Sequence, residues 1–158
     1  LYGERGFGIW QGNFRDILID RAANATISAE TRLARQRILG IDKLDAGQVK
    51  VWWYGVSSFI MAAGGHLFLL DAWEVVGVHK GYVPITRDDL VALKPEAIFI
   101  GHGHFDHAAD AGYIASRTGA ALIAGDSVCD QARTLDSNDP KVAATWARAW
   151  SSRRTAPS

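Results

Sequence analysis

The stretch "IGHGHFDHAAD" (residues 100–110) sets three histidines and two aspartates within eleven positions. The run before it, "EAIFIG" (96–101), is short and apolar and reads as a buried strand. His102 and His104 are two residues apart. On an extended segment alternate side chains point the same way, so these two can reach one metal ion together. Asp106 and His107 follow where the chain turns toward a helix, and can point at a second position nearby. Imidazole and carboxylate are ordinary zinc donors and also suit iron or manganese. Gly101 and Gly103 are expected to permit tight backbone turns between the donors. Phe105 is expected to face the core and anchor the loop. The competing explanation is a polar surface loop that happens to be rich in histidine. Four potential ligands at offsets 0, 2, 4 and 5, directly after a buried strand, speak against it.

Upstream lie three strand-like runs, "VKVWWYG" (49–55), "SSFIMAA" (57–63) and "HLFLLDAW" (66–73), rich in β-branched and aromatic residues. Gly64-Gly65 between the last two is a two-residue hairpin signal. Ser28 is placed to cap a helix over 29–39, with Glu30 in its first turn and Gly40 as its stop; its arginines read as a solvated face. Thr86 with Asp89 resembles a capping box opening a helix over 87–94, ended by Pro95. Downstream, "AADAGYIASRTG" reads as a helix closed by Gly119. "AALIAG" (120–125) reads as a strand, and "SVCDQARTL" (127–135) as a short helix. Asp139-Pro140 opens a further helix that carries Val142, Trp146 and Ala149 on one face. A hairpin first and strand-helix alternation later predict a layered α+β fold. The histidine cluster then sits beyond the carboxyl end of a buried strand, a usual place for a site.

The chain of 158 residues suggests one domain. It divides into an N-terminal arm and helix (1–48), a central unit (49–150) and a polar tail (151–158). Hydrophobic residues make up 48% and charged residues 22%, the balance of a soluble globular protein. Seventeen basic and 17 acidic residues cancel, which argues against nucleic acid or an anionic membrane as main partner. No apolar run approaches the ~18 residues of a spanning helix. Cys129 is the one cysteine, so no internal disulfide forms. A cytoplasmic home, or export after signal removal, both stay open.

"HGHFDH" (102–107) resembles the His-x-His-x-Asp-His signature of the metallo-β-lactamase fold superfamily. "VWWYGVSSFIMAAGGHLFLLDAW" (51–73) is similar to the hairpin region that opens that fold, and "DHAADAGYIASRTGAALIAG" to the helix and strand after the motif. The resemblance runs from about Val49 to Gly125. It implies an αβ/βα sandwich, with His102 and His104 on a first metal and Asp106 and His107 on a second. Two zinc ions are the expected cofactors. Asp71 matches an aspartate that supports the metal loop. The implied activity is a metal-dependent hydrolase acting through an activated water on an ester, lactone, amide or phosphodiester bond of a small-molecule substrate. Asp106 is the expected catalytic residue, orienting the water or assisting proton transfer. Trp73, His79 and Tyr82 are candidate pocket residues, with core packing the competing role for Trp73.

The family's first metal takes a further histidine, and its second a bridging aspartate and a final histidine, all from the second half of the fold. No histidine follows His107 in this sequence. His66 reads as a turn or strand residue. Asp110, Asp126, Asp130, Asp136 and Asp139 are the remaining acidic candidates, Asp126 foremost, although a helix-capping role suits it as well. The chain therefore reads as the first sheet-and-helix half of the sandwich, expected to pair with a second half-domain or with itself. The alternative reading is a catalytically incomplete metal-binding or interaction domain.

Overall fold

The computed structural model describes residues 27–74 and 84–135. The expected helix over 139–150, the N-terminal arm, the polar tail, His79 and Tyr82 lie outside the described residues. Helix α1 (Ala29–Leu39) leads into strands β1 (Val49–Gly55), β2 (Ser58–Ala63) and β3 (His66–Leu70). Helix α2 (Arg87–Ala92) precedes β4 (Ala97–Phe99). The short helix α3 (Phe105–Ala108), helix α4 (Ala111–Thr118), strand β5 (Ala121–Ile123) and helix α5 (Asp126–Leu135) follow. The sheet order is β1-β2-β3-β4-β5. The first three strands pair antiparallel, and β3-β4 and β4-β5 pair parallel. This is the expected α+β mixture.

Local chemistry explains most boundaries. Ser28 Oγ accepts from Thr31 N at 3.1 Å, and Gly40 closes α1 in the left-handed conformation at φ 70. Gly64 and Gly65, at φ 62 and 85, make the β2-β3 turn that glycine tolerates without steric cost. Thr86 and Asp89 form a complete capping box. Gly119 ends α4 at φ 74. Several boundaries differ from expectation: α2, β4 and β5 are each shorter than the sequence suggests, and two further differences bear on the site. Strand β3 stops at Leu70 instead of Trp73, because Asp71 adopts φ 56 and turns the chain out of the sheet. The helix expected from Ala108 starts only at Ala111, after its N-cap Asp110 at ψ 0, and a separate short helix, α3, forms within the cluster itself.

Alternation divides the sheet into two faces. Tyr54, Ile60, Ala62, Leu67, Leu69 and Ile98 point to one side, where they pack with Leu39, Leu90, Leu93 and Ile114 of the helices. The opposite side carries two cross-strand rows. One runs Val51, Met61, Phe68, Ala97, Ala121, and the other Trp53, Phe59, Leu70, Phe99, Ile123. Phe68 and Phe99 meet edge to face, with centroids 5.6 Å apart. Val51 and Trp53 on this side are exposed. Trp52 and Trp53 thus face opposite ways, as strand geometry demands.

The arginines of α1 do not all form a solvated face. Arg37 is exposed and pairs with Asp89 at 2.7 Å, but Arg35 is only 2% exposed. Its Nε donates to Leu93 O at 3.1 Å and its Nη2 to Lys94 O at 3.4 Å, so it caps the carbonyl end of α2. Burial lowers its pKa, and the nearby Glu96 carboxylate opposes that shift. Among the described residues no helix is long and apolar enough to cross a membrane.

Arg35→Met keeps the apolar stem and removes both donors. It is expected to cost about 2 kcal/mol, the scale of hydrogen bonds from a charged donor. In urea denaturation the midpoint should fall with an unchanged slope.

Candidate metal centre

Strands β1, β3, β4 and β5 all run in the same direction, so their carboxyl ends meet at one edge of the sheet. The β1-β2 turn, Asp71, the histidine segment and the start of α5 gather there. Such an edge is where layered sheets commonly place ligands.

The histidine segment leaves β4 after Ile100, whose N–H donates to Ile123 O at 2.9 Å. Gly101 N–H donates to Asp71 Oδ1 at 3.0 Å. His104 is the N-cap of α3, and its carbonyl accepts from His107 N and Ala108 N. Its ring makes no capping bond, unlike the Ser, Thr, Asp or Asn usual at that position, and so stays available to other partners. The His102 ring lies 4.1 Å from that of His104 and 4.9 Å from that of His107, centroid to centroid. Asp106 Oδ2 lies 3.8 Å from His107 Nε2. The four residues expected to act together are therefore close together. Among the described residues, however, no three His, Cys, Asp or Glu side chains are arranged to hold one ion. The donors fit a metal in kind and in proximity, as pairs.

Asp71 organises the region beneath them. Its Oδ2 lies 2.8 Å from His107 Nδ1 and accepts from Ser57 Oγ at 2.8 Å. Ser57 Oγ is itself 2.8 Å from His107 Nδ1. Asp71 N–H donates to Phe99 O at 2.7 Å, and Asp71 O accepts from the Tyr54 hydroxyl at 3.0 Å. Burial pushes the Tyr54 phenol well above its ordinary pKa, so it stays a neutral donor. Next along the chain, Ala72 N–H donates to His107 O at 2.6 Å and Ala72 O accepts from Asp110 N at 3.0 Å. The exit from β3 thereby holds the C-terminal side of α3 through two backbone bonds. Ser57 was not among the residues picked out by sequence. Its signal was faint, a serine two residues past a glycine that ends a strand.

Several expectations need correction. Phe105 does not face the core. It is 72% exposed, because the first residue of α3 turns outward, and its ring rests edge-on against Trp73 at 5.9 Å. Gly101 and Gly103 are not in the left-handed region. A Cβ at Gly103 would instead meet Val128 Cγ2 at 2.9 Å, so α5 leaves no room for a side chain there. Nothing in the described residues requires glycine at 101.

Of the other candidates, Trp73 is buried, lying against Phe105 beside the histidine segment. His66 sits at the other end of the sheet, 2.8 Å from Glu96 Oε2, in a structural pair. Asp110 is turned inward. Its Oδ2 accepts from Glu74 N at 2.6 Å, and burial raises its pKa against the opposing Glu74 N–H and Arg87. Asp126 is exposed in the first turn of α5, where Gly125 O takes the first helical bonds. Asp130 pairs with Arg133. Asp136 and Asp139 lie outside the described residues. Cys129 is half-buried with its thiol against Ala124 O at 3.7 Å, and burial raises its pKa, which suits a packing role.

A sequence-family model described as the metallo-beta-lactamase superfamily matches residues 51–147, more than half of the chain. The chain belongs to the metallo-beta-lactamase superfamily. Superfamily relatives named UPF0173 metal-dependent hydrolase are similar over part of their length. The one from Pyrobaculum islandicum is 33% identical over 75 residues, covering 48% of this chain and 32% of the relative. That from Anaeromyxobacter dehalogenans strain 2CP-C is 39% identical over 82 residues, covering 51% of this chain and 28% of the relative. The chain thus matches about a third of the length of these relatives. No solved structure matches the chain with significance.

The contact between Gly103 and α5 yields a direct test. Gly103→Ala is expected to lower stability by about 1–3 kcal/mol through overpacking. Removing the opposing methyls with Val128→Ala in the same chain should recover most of that loss, read as melting temperatures of both single variants and the double.

Proposed function

We propose that the chain carries the first part of the active centre of a metal-dependent hydrolase. The single observation behind this reading is the convergence of the His102, His104 and His107 rings with Asp106 at the carboxyl edge of the sheet. His102 and His104 would hold one ion, and Asp106 and His107 a second. Zinc is the expected metal, with iron or manganese sharing these donors. When bound, such ions supply Lewis acidity and a nucleophilic water near neutral pH. The protein's own contribution is orientation. The imidazoles supply nitrogen donors, Asp71 holds the His107 ring by its Nδ1, and Asp106 is the group able to orient a water or move its proton. The names of the UPF0173 relatives support hydrolysis as the reaction class. An ester, lactone, amide or phosphodiester of a small molecule is the proposed bond.

Two pairs of ligands do not close two coordination spheres. That observation favours a second reading, in which the chain binds metal incompletely until another unit adds donors. It also gives a role to the open face of the sheet. Val51, Trp53, Met61 and Phe68 make an apolar surface that no described element covers. Sheets with such a face pack against a second sheet, about 10 Å away. The full αβ/βα sandwich is the proposed assembly. For this chain by itself the occupant would be a second copy.

Metal analysis of the purified chain is expected to find about two equivalents, as in two-metal hydrolase sites. Hydrolysis of a panel of p-nitrophenyl esters, phosphodiesters and lactones should disappear in His104→Ala and Asp106→Ala. Activity that survives both changes would sink the hydrolase reading. Sub-stoichiometric metal with an inactive panel would support the second reading instead. Light scattering after size exclusion should show a dimer, and Val51→Lys should shift it to monomer. A stable wild-type monomer would overturn the pairing.

A further inference from the structure

We propose that Ser57 is a positioning residue that fixes the proton arrangement of His107 and so presents its Nε2 toward the metal centre. The inference rests on the metal-binding reading above and deepens it. Its basis is a closed triangle, in which Ser57 Oγ, Asp71 Oδ2 and His107 Nδ1 are each 2.8 Å from the other two.

Hydrogen counting decides how this triangle is wired. An ionised carboxylate can only accept. The Ser57 hydroxyl carries a single hydrogen, and it donates to Asp71 Oδ2. The remaining contacts of His107 Nδ1 are then with two oxygens, neither of which has a hydrogen left for it. Nδ1 must therefore carry the proton, shared between Asp71 Oδ2 and Ser57 Oγ. In a neutral ring that leaves Nε2 bare. Nε2 is the nitrogen on the side of Asp106, 3.8 Å from its Oδ2. A metal-ligating histidine needs this arrangement, with one nitrogen anchored and the other free.

Asp71 alone would hold the ring by one contact. Its other oxygen is committed to Gly101 N–H at 3.0 Å. The Ser57 hydroxyl adds a second donor on Oδ2, which restrains rotation of the carboxylate, and a second acceptor for Nδ1–H, which restrains the ring. Without it, the carboxylate could turn about its terminal torsion and the tautomer would be less sharply set.

The backbone supplies an independent argument. Ser57 is placed by a turn with unusual geometry. Gly55 is at φ 141, the strand register shifts between Trp53 and Gly55, and Val56 stands at φ 47. A β-branched residue in that region is strained, and Val56 is an exposed side chain with no burial to compensate. Asp71, the other oxygen partner of His107, is also a non-glycine residue in the left-handed region, at φ 56. Strained backbone therefore flanks both groups that face Nδ1. Such strain persists where the surroundings over-determine it, and it concentrates at functional sites.

The test uses the 158-residue chain with zinc alone as the probe, its affinity read by competition with a chelator. Ser57→Ala is expected to weaken zinc binding ~10-fold, the lower end for a residue supporting a metal ligand. Ser57→Thr, which keeps the hydroxyl, should restore it. Nitrogen-15 spectra of the metal-free chain should show His107 with Nδ1 protonated in the wild type and a mixture of tautomers in Ser57→Ala. Unchanged affinity and unchanged spectra in Ser57→Ala would overturn the inference. So would a lowered melting temperature with zinc affinity intact, which marks a merely structural serine. Should Ser57→Ala fail to fold, a wild-type His107 found with Nε2 protonated would overturn it alone. A wild type that takes up no zinc would remove the metal reading itself, a result distinct from wild-type binding that Ser57→Ala leaves unaltered.

Discussion

Asp71 leaves the sheet in the left-handed conformation, and five residues from three other stretches of the chain bond to it there. Its carboxylate takes Ser57 from the β1-β2 turn, Gly101 from the β4 exit and His107 from α3. Its backbone takes Tyr54 from β1 and gives to Phe99 of β4. One residue therefore fixes the relative positions of three strand ends and of the short helix bearing Asp106 and His107. The carboxylate thereby gathers three part-buried groups on one side chain. The histidine geometry depends on it, because the loop from 101 to 104 has no regular structure of its own.

Close backbone approaches complete the support. At Gly112 an added Cβ would meet Ala132 O at 2.7 Å, and at Gly103 it would meet Val128 at 2.9 Å. Helix α5 thus lies tightly against both the histidine-bearing loop and the start of α4. The helix-facing side of the sheet is filled, with Ile60, Leu67, Leu69 and Ile98 fully buried. The other side is apolar yet open among the described residues. Apolar sheet faces of this kind commonly pack against a second layer.

Much of this was legible in the sequence because its causes are local. The capping residues Ser28 and Thr86, the Gly64-Gly65 turn and the Gly119 stop act within a few positions, so their elements appear where expected. The β-branched and aromatic content of β1 to β3 likewise announced strands. The spacing of His102, His104, Asp106 and His107 was enough to expect a donor cluster, since neighbours on a strand end cannot avoid one another. Arg35 was misplaced for the opposite reason. Nothing within α1 distinguishes it from the exposed Arg37, and its partners are carbonyls 58 and 59 residues away.

The sequence by itself determined the element types, the turn positions, the donor types and their place at the end of β4. Tertiary structure decided what those donors lean on. Asp71 and His107 are 36 residues apart, and Ser57 and His107 are 50 apart. Their meeting depends on three parallel-running strand ends and on two strained backbone positions, Val56 and Asp71. It also decided that Gly103 answers to Val128 instead of to a turn, and that Phe105 points outward. Contacts of that range follow from how the sheet is ordered and how α5 packs, and no local pattern encodes either.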